Sequence, residues 1–435
     1  MLENSISRHQ RQQSSLFAVA RYSIFNGSVA DFTGPANHFD QSKLYHYRCS
    51  TEPLSRKLAM TALRYAKRLV EFDTTSCVSN SLISQYLEMK LTEHGFVVEK
   101  IEYRDKSNVQ KTNLVAKKGD GYGGLAYCSH SDVVPAEKWF SKEFGPFEPT
   151  ISSDRLYGRG SCDMKGSIAC MLTAAQQFSR DELKQPIYFI VTADEEVGFD
   201  GAKCVVEQSK LYREIVNHGT KAIIGEPTSL EVVHAHKGSI EIIATARGKA
   251  GHSGGRQGVN ANLKMIPFLS DMKAIYDEAE SEKKWQNDCF DPPTLSWNIL
   301  VKDDAPALNV TAGNSVCKMY VRPMPGIDVE PLLNRVRESA KVNELELQVN
   351  AHGGGFFVDP SSDFVQQSLQ LTHRSESKTV SYGTDGVMFT EIEDKIVFGP
   401  GSIDQAHTID EWIALEQLEL GTEMYSKMIR HWCCQ

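Results

Sequence analysis

The sequence predicts a layered α/β fold with a smaller α+β domain inserted into it. Three observations carry that prediction. Short, nearly continuous apolar runs such as 187–193 alternate with helical patterns, as in a sheet covered by helices. Several of these runs break abruptly into acids or histidine, the chemistry that collects at the C-terminal ends of strands in open α/β sheets. After Lys237-Gly238 the pattern changes to an alternating, half-solvated strand and a long amphipathic helix, and it returns to the first style near residue 353.

Taken in order, residues 1–52 stand apart: they are rich in Ser, Gln, His and Asn and lack periodicity. Their first 30 residues carry Arg8, Arg11 and Arg21 against one acid, Glu3, a pattern shared by organelle transit peptides and by poorly ordered extensions. Helical patterns follow at 52–71 and 80–94. Strands are expected at 113–116, 125–128, 187–193 and 222–224, and a helix at 165–178. The last three strands lead directly into His130, the acids 194–196 and Glu226. Between 238 and 352 the expected order is strand, helix, strand, helix, strand, with Pro267 as a kink and 285–293 as a loop. A helix at 364–371, a strand at 396–398, a glycine-containing loop ending at His407 and a helix from 415 complete the chain. The predicted domains are therefore an extension (1–52), a larger domain (53–237 with 353–435) and an insert (238–352).

Composition narrows the function. With 435 residues, 41% of them hydrophobic and 24% charged, the chain has material for more than one globular core. A net charge of -9 argues against a general nucleic-acid or anionic-membrane binder. No stretch approaches the roughly 18 apolar residues of a membrane span. The 10 cysteines lack C-x-x-C spacing, which points to reduced thiols and a cytoplasmic setting.

His130, Asp163, Glu196, Glu226 and His407 are five oxygen and nitrogen donors, each at a strand end or turn. Five such residues suit two Zn2+ ions with one carboxylate bridging, which leaves room for water. Singly, each has an ordinary reading: loop histidines, a helix N-cap at Asp163, a surface acid at Glu226.

The motifs Ser129-His-Ser-Asp-Val-Val-Pro135, Leu156-Tyr-Gly-Arg-Gly-Ser-Cys-Asp-Met-Lys-Gly166, Thr192-Ala-Asp-Glu-Glu-Val-Gly198, Ile224-Gly-Glu-Pro-Thr-Ser229 and Gly399-Pro-Gly-Ser-Ile-Asp-Gln-Ala-His407 add a further signal. Together, from about residue 55 onward, the chain resembles the co-catalytic dizinc deacylases and exopeptidases, in that family's motif order. The resemblance implies a zinc-exopeptidase-like catalytic domain with a ferredoxin-like lid that also dimerises. It implies that Asp163 bridges two Zn2+ ions (Co2+ or Mn2+ being alternatives), with His130 and Glu226 on one and Glu196 and His407 on the other. Glu195 is then the general base, and Asp132 accepts the other N–H of the His130 ring. It further implies a cis Asp163-Met164 peptide, an oxyanion-stabilising His252 on the lid, often acting across a dimer interface, and substrate contacts from Asn309, Arg322, Gly383 and Thr384. One departure stands out: Asn309-Val-Thr-Ala312 lacks the proline usual after the Asn-hydrophobic pair.

Within that family the motifs around Glu226 and His407 look closest to acetylornithine deacetylase. The expected reaction is hydrolysis of an N-acyl amino acid, N2-acetylornithine first, with succinyl-diaminopimelate and then dipeptides or simple acylamino acids as alternatives. A catalytically silent zinc-binding protein is the alternative of a different class, and Glu195 argues against it because a binder needs no base.

Overall fold

The computed structural model describes residues 54–435, so the expectations for the N-terminal extension lie outside the described residues. Among them a nine-stranded mixed sheet organises the larger part of the chain. Its centre is four mutually parallel strands in the order Ile187–Thr192, Leu125–His130, Lys221–Ile224 and Lys395–Val397. Gln110–Lys118 pairs antiparallel outside Ile187–Thr192, followed by Val97–Arg104, while Val233–Lys237 and Gly355–Phe357 continue the other side. Every residue of Leu125–His130 and Ile187–Thr192 is buried, which explains why these strands read as continuous apolar runs. Because the four central strands run the same way, their C-terminal ends share one edge, and the candidate ligands emerge there.

Helices Leu54–Val70, Gly166–Ala175 and Leu415–Cys433 pack on one another against this sheet. Gly166–Ala175 is buried along its whole length, so its Gly, Ala and Ser positions are the ones that admit close neighbours. A directed chain of hydroxyls ties the layers: Tyr127 donates to Ser167 (2.7 Å), Ser167 to Tyr425 (2.8 Å), and Tyr425 to the carbonyl of Phe398 (3.0 Å). Each buried hydroxyl is thereby satisfied, where a lone one would cost about 1–3 kcal/mol.

A second, four-stranded antiparallel sheet has the order Asn298–Asp303, Asn314–Val321, Ile240–Arg247, Glu346–Ala351, with helices Ala261–Ser281 and Glu330–Val342 packed on it. In chain order this is strand-helix-strand-strand-helix-strand, a ferredoxin-like arrangement. It has its own apolar core, including Ile242, Phe268, Met272 and Val336. In this sheet the sequence reading missed Asn298–Asp303: all but one of its residues are exposed, so it carries no buried alternation to read; in the larger sheet it missed Val97–Arg104 and Val233–Lys237 among others. Helices Asp200–Gln208 and Lys210–Asn217 were also missed, being too short to establish a period. Ala261–Ser281 runs unbroken through Pro267.

The third sheet, Thr150–Ser152, Arg155–Tyr157 and Trp412–Ala414, is small but joins two distant segments. It brings Glu411 beside the turn that carries Asp163.

Candidate active site

Five loops at the shared strand edge bring the predicted donors into two clusters. His130, Asp163 and Glu226 form one, Asp163, Glu196 and His407 the other, and within each the donor atoms lie within 4.8 Å of one another. His130 Nε2 is 3.1 Å from Asp163 Oδ1 and 3.5 Å from Glu226 Oε1. His407 Nε2 is 3.4 Å from Asp163 Oδ2 and 3.0 Å from Glu196 Oε2. Asp163 thus offers one oxygen to each cluster, the disposition a bridging carboxylate requires.

Local structure explains each placement. His130 is the last residue of its strand. Asp163 sits in a turn, Ser161–Lys165, that departs from helical geometry and contains a cis Asp163-Met164 peptide. Gly160 leads into that turn at φ +81°, and a Cβ there would lie 2.7 Å from Val133, so glycine is required. The buried Glu411 carboxylate accepts from the backbone amides of Gly160, Cys162 and Asp163 at 2.9–3.0 Å and from Arg159 at 2.7 Å. The sequence offered no signal for Glu411, which lies 248 positions from Asp163.

Glu195 and Glu196 occupy a single 3-10 turn after Asp194, whose backbone is left-handed (φ 59°, ψ 29°). A turn therefore sets the different directions of these adjacent side chains. Glu196 joins a donor cluster, while Glu195 is buried, belongs to neither cluster and lines the same cavity.

The acceptor on the far side of His130 also differs from expectation. Its Nδ1 faces the backbone carbonyl of Asp132 at 3.0 Å, with the carboxylate at 3.6 Å. An Nδ1–H donated to that carbonyl leaves Nε2 as the ring atom facing Asp163 and Glu226, where a bound cation would take its lone pair. The Asp132 carboxylate instead accepts the hydroxyl of Ser76 (2.7 Å) and the amides of Glu195 (3.2 Å) and Glu196 (3.3 Å). Asp132 therefore holds both sides of the site, the ring and the acidic turn.

The cavity, ≈ 150 Å³ in volume, is lined by Asp163, Glu195, Glu196, Glu226 and His407, together with Arg322, Gly383 and an aromatic wall that includes Tyr320 and Tyr382. The Arg322 guanidinium stands 5.0 Å over the Tyr320 ring. The two tyrosines went unnoticed in the sequence because nothing in their spacing marks them. Thr384 is fully buried and does not line the cavity; it bonds to His236 Nε2 (2.8 Å) and accepts the Gly386 amide. His252 and Asn309 are exposed on neighbouring loops of the smaller sheet, joined by the Ser253 amide to the Asn309 carbonyl (2.9 Å), and neither lines the cavity.

Electrostatics follow from packing acids together. Burial, reinforced by Asp163, pushes Glu226 up to about 8. Burial and Asp163 likewise raise Glu196. Burial lifts Glu195 well above the carboxylate range, with Glu226, Glu196 and Asp385 adding to it and His130 opposing. Burial would depress His130, but Glu226, Asp132 and Asp163 carry it well above the imidazole range, and hydrogen bonds to Asp163 and Glu196 raise His407 to about 10. Asp163 is held low by the two histidines against its own desolvation. Burial and the crowding of acids together set these shifts, and a divalent cation in each cluster would neutralise the clustered carboxylates. Carboxylate and imidazole donors with one shared acid fit such a pair of ions.

Residues 126–431 match Peptidase family M20/M25/M40. The acetylornithine deacetylase of Myxococcus xanthus is 34% identical over 378 residues, spanning 84% of this chain and 96% of that protein. The acetylornithine deacetylase of Vibrio atlanticus is 30% identical over 387 residues, spanning 85% and 98%. Human carnosine dipeptidase 1 shares the fold, with a TM-score of 0.67 at 17% identity over 86% of this chain and 99% of that chain. On the strength of the family match and of these relatives, the chain belongs to Peptidase family M20/M25/M40, metal-dependent hydrolases of linear amides.

Proposed function

We propose that this protein hydrolyses the amide of an N-acyl amino acid, N2-acetylornithine first, giving acetate and the free amino acid, with two Zn2+ ions held in the two clusters. The observation that carries the reading is Glu195, a buried carboxylate left outside both donor clusters yet facing the same cavity. Ligands alone would serve a metal-binding protein; an additional unliganded acid serves proton transfer. The relatives named acetylornithine deacetylase, matched over most of both chains, support the substrate.

His130 and Glu226 would hold one ion, Glu196 and His407 the other, and Asp163 both. When bound, the ions supply Lewis acidity that polarises the amide carbonyl and acidifies water. A Glu195 carboxylate oxygen takes the proton of the attacking water and returns it to the leaving nitrogen. The Arg322 guanidinium, stacked on Tyr320, binds the substrate carboxylate, and Gly383 borders the bound chain.

The active form is a homodimer formed through the smaller sheet. Asn298–Asp303 is an edge strand exposing Leu300 and Val301, and Asn262 at the start of the neighbouring helix bonds Asp303 (2.7 Å), bringing exposed Leu263 and Ile266 near. An apolar edge strand of this kind invites pairing with a second chain. Within such a dimer His252 and Asn309 would complete a site whose own cavity lacks them. Among the described residues no helix is long and apolar enough to cross a membrane, and the nine cysteines there are free thiols, which supports a cytoplasmic setting.

Initial rates on N2-acetylornithine, succinyl-diaminopimelate, a dipeptide and simple acetylamino acids, with chelation and metal add-back, test the reading. Preference for acetylornithine, loss on chelation and recovery with Zn2+ are expected. Activity that survives chelation would sink the metal mechanism, and no preference for acetylornithine would sink the substrate.

A further inference from the structure

We propose that the buried ion pair between Lys111 and Asp194, with Tyr103, is a positioning device that holds the turn bearing Glu195 and Glu196 in place. The inference rests on the roles given to those two glutamates above.

Lys111 lies in a strand of the main sheet with its side chain 1% exposed. Its ammonium meets Asp194 Oδ1 at 2.7 Å and the carbonyls of Ser76 at 2.6 Å and Val78 at 3.1 Å, so its three protons are all used. Asp105 stands further off, at 3.7 Å. The other oxygen of Asp194 accepts the Tyr103 hydroxyl at 2.7 Å. Asp194 thus points away from the cavity, into the protein, and spends both oxygens there.

Its backbone explains the need for such anchoring. Asp194 is left-handed, a conformation that aspartate tolerates better than most residues but still at a cost over glycine, and it immediately precedes the two functional acids. Surrounding contacts must impose that shape. The clamp closes on itself: Ser76, whose carbonyl takes Lys111, gives its hydroxyl to Asp132, and Asp132 accepts the amides of Glu195 and Glu196. The turn is therefore gripped by two carboxylates, Asp194 from within the turn and Asp132 from across it, with Lys111 and Ser76 linking them. An apolar pair of equal volume would fill the same space, and buried ion pairs seldom add net stability. What such a pair supplies and an apolar pair does not is direction, and direction is what a base and a ligand on adjacent residues require.

The test uses the full chain carrying Asp194→Asn, Lys111→Met, both together, Lys111→Arg and Tyr103→Phe. Two readouts are taken: Co2+ titration followed by visible absorption, and kcat and KM on the N-acyl amino acid that the wild type cleaves. In Asp194→Asn and Lys111→Met, kcat falls about 10–100-fold with KM little changed, and one of the two Co2+ equivalents weakens by a similar factor while the other holds. The double variant loses no more than the worse single, Lys111→Arg recovers part of the loss, and Tyr103→Phe shows a smaller loss of the same kind. Unchanged kcat and Co2+ binding in the two charge variants overturns the proposal, as does equal weakening of both equivalents with additive losses. If the charge variants fail to fold, Tyr103→Phe decides by the same readouts, and wild-type values there overturn it. Should the wild type cleave no N-acyl amino acid, the functional reading fails by itself and the selective loss of one Co2+ equivalent still decides this one.

Discussion

Glu195 illustrates how much a single position depends on what surrounds it. It shares a one-turn segment with Glu196 and a cavity with three other carboxylates, yet only Glu195 stands outside the donor clusters. Replacing it with Gln keeps the volume and removes the base. Glu195→Gln is expected to lower kcat about 10²–10⁴-fold with metal content unchanged, checked by steady-state rates beside metal analysis of the same preparation. Full turnover would overturn the assignment. The motif marked both acids in the sequence, and it marked the cis peptide after Asp163. The motif did not mark which atom of Asp132 meets His130, because backbone and carboxylate oxygens of one residue are indistinguishable in a string of letters. Tyr320 and Tyr382 were illegible for a different reason, since a cavity wall is assembled from positions with no common spacing.

Between elements, two buried groups show how the site is held by parts that never touch the cavity. Glu411 accepts three backbone amides of the turn around Asp163 and the Arg159 guanidinium. Glu411→Ala would strand Arg159 and three amides in a dry interior, so a loss of about 3–5 kcal/mol is expected, read from urea unfolding. A loss under about 1 kcal/mol would show the turn to be held by other means. His236, in the strand Val233–Lys237, donates through Nδ1 to the Lys237 carbonyl (2.7 Å) and accepts the Thr384 hydroxyl at Nε2 (2.8 Å). That arrangement needs the neutral ring, and burial lowers its pKa from 6.5 to about 4. Below pH 6.5 the unfolded chain therefore binds a proton that the folded chain refuses, and stability falls with pH until about pH 4. The stability advantage of the wild type over His236→Gln is expected to shrink by about 3 kcal/mol across that window, and a pH-independent difference would refute it. Neither group was legible in advance. Glu411 reads as one acid among many, and a histidine's partners are set by strands that meet only in three dimensions.

At the scale of the whole molecule, the legible features were those written in periodicity and motif order: the central strands, the buried helix, and the separate character of the inserted sheet. The parallel run of four strands gathers segments from residue 125 to residue 397 onto one edge, which is why ligands so distant in the chain converge. The strand Asn298–Asp303 escaped notice because it is exposed on both faces, which leaves no buried alternation for strand reading to use. That same edge strand bears on quaternary structure. Since His252 and Asn309 lie outside the cavity of their own chain, the proposed dimer would supply them from the partner, and base and oxyanion donor would then belong to different chains. Two inactive variants should then rescue each other. In a mixed dimer of Glu195→Gln with His252→Ala, one site has both defects and the other has an intact Glu195 facing an intact His252. Unfolding and refolding an equimolar mixture, or co-expressing the two, pairs chains at random, so about half the dimers are mixed and each has one complete site of two. Recovery of about a quarter of wild-type activity per chain is expected, against traces in either variant alone. If both variants are inactive and the mixture stays inactive while co-purification of two differently tagged chains shows mixed dimers, His252 acts within its own chain and the exchange of residues between subunits is wrong.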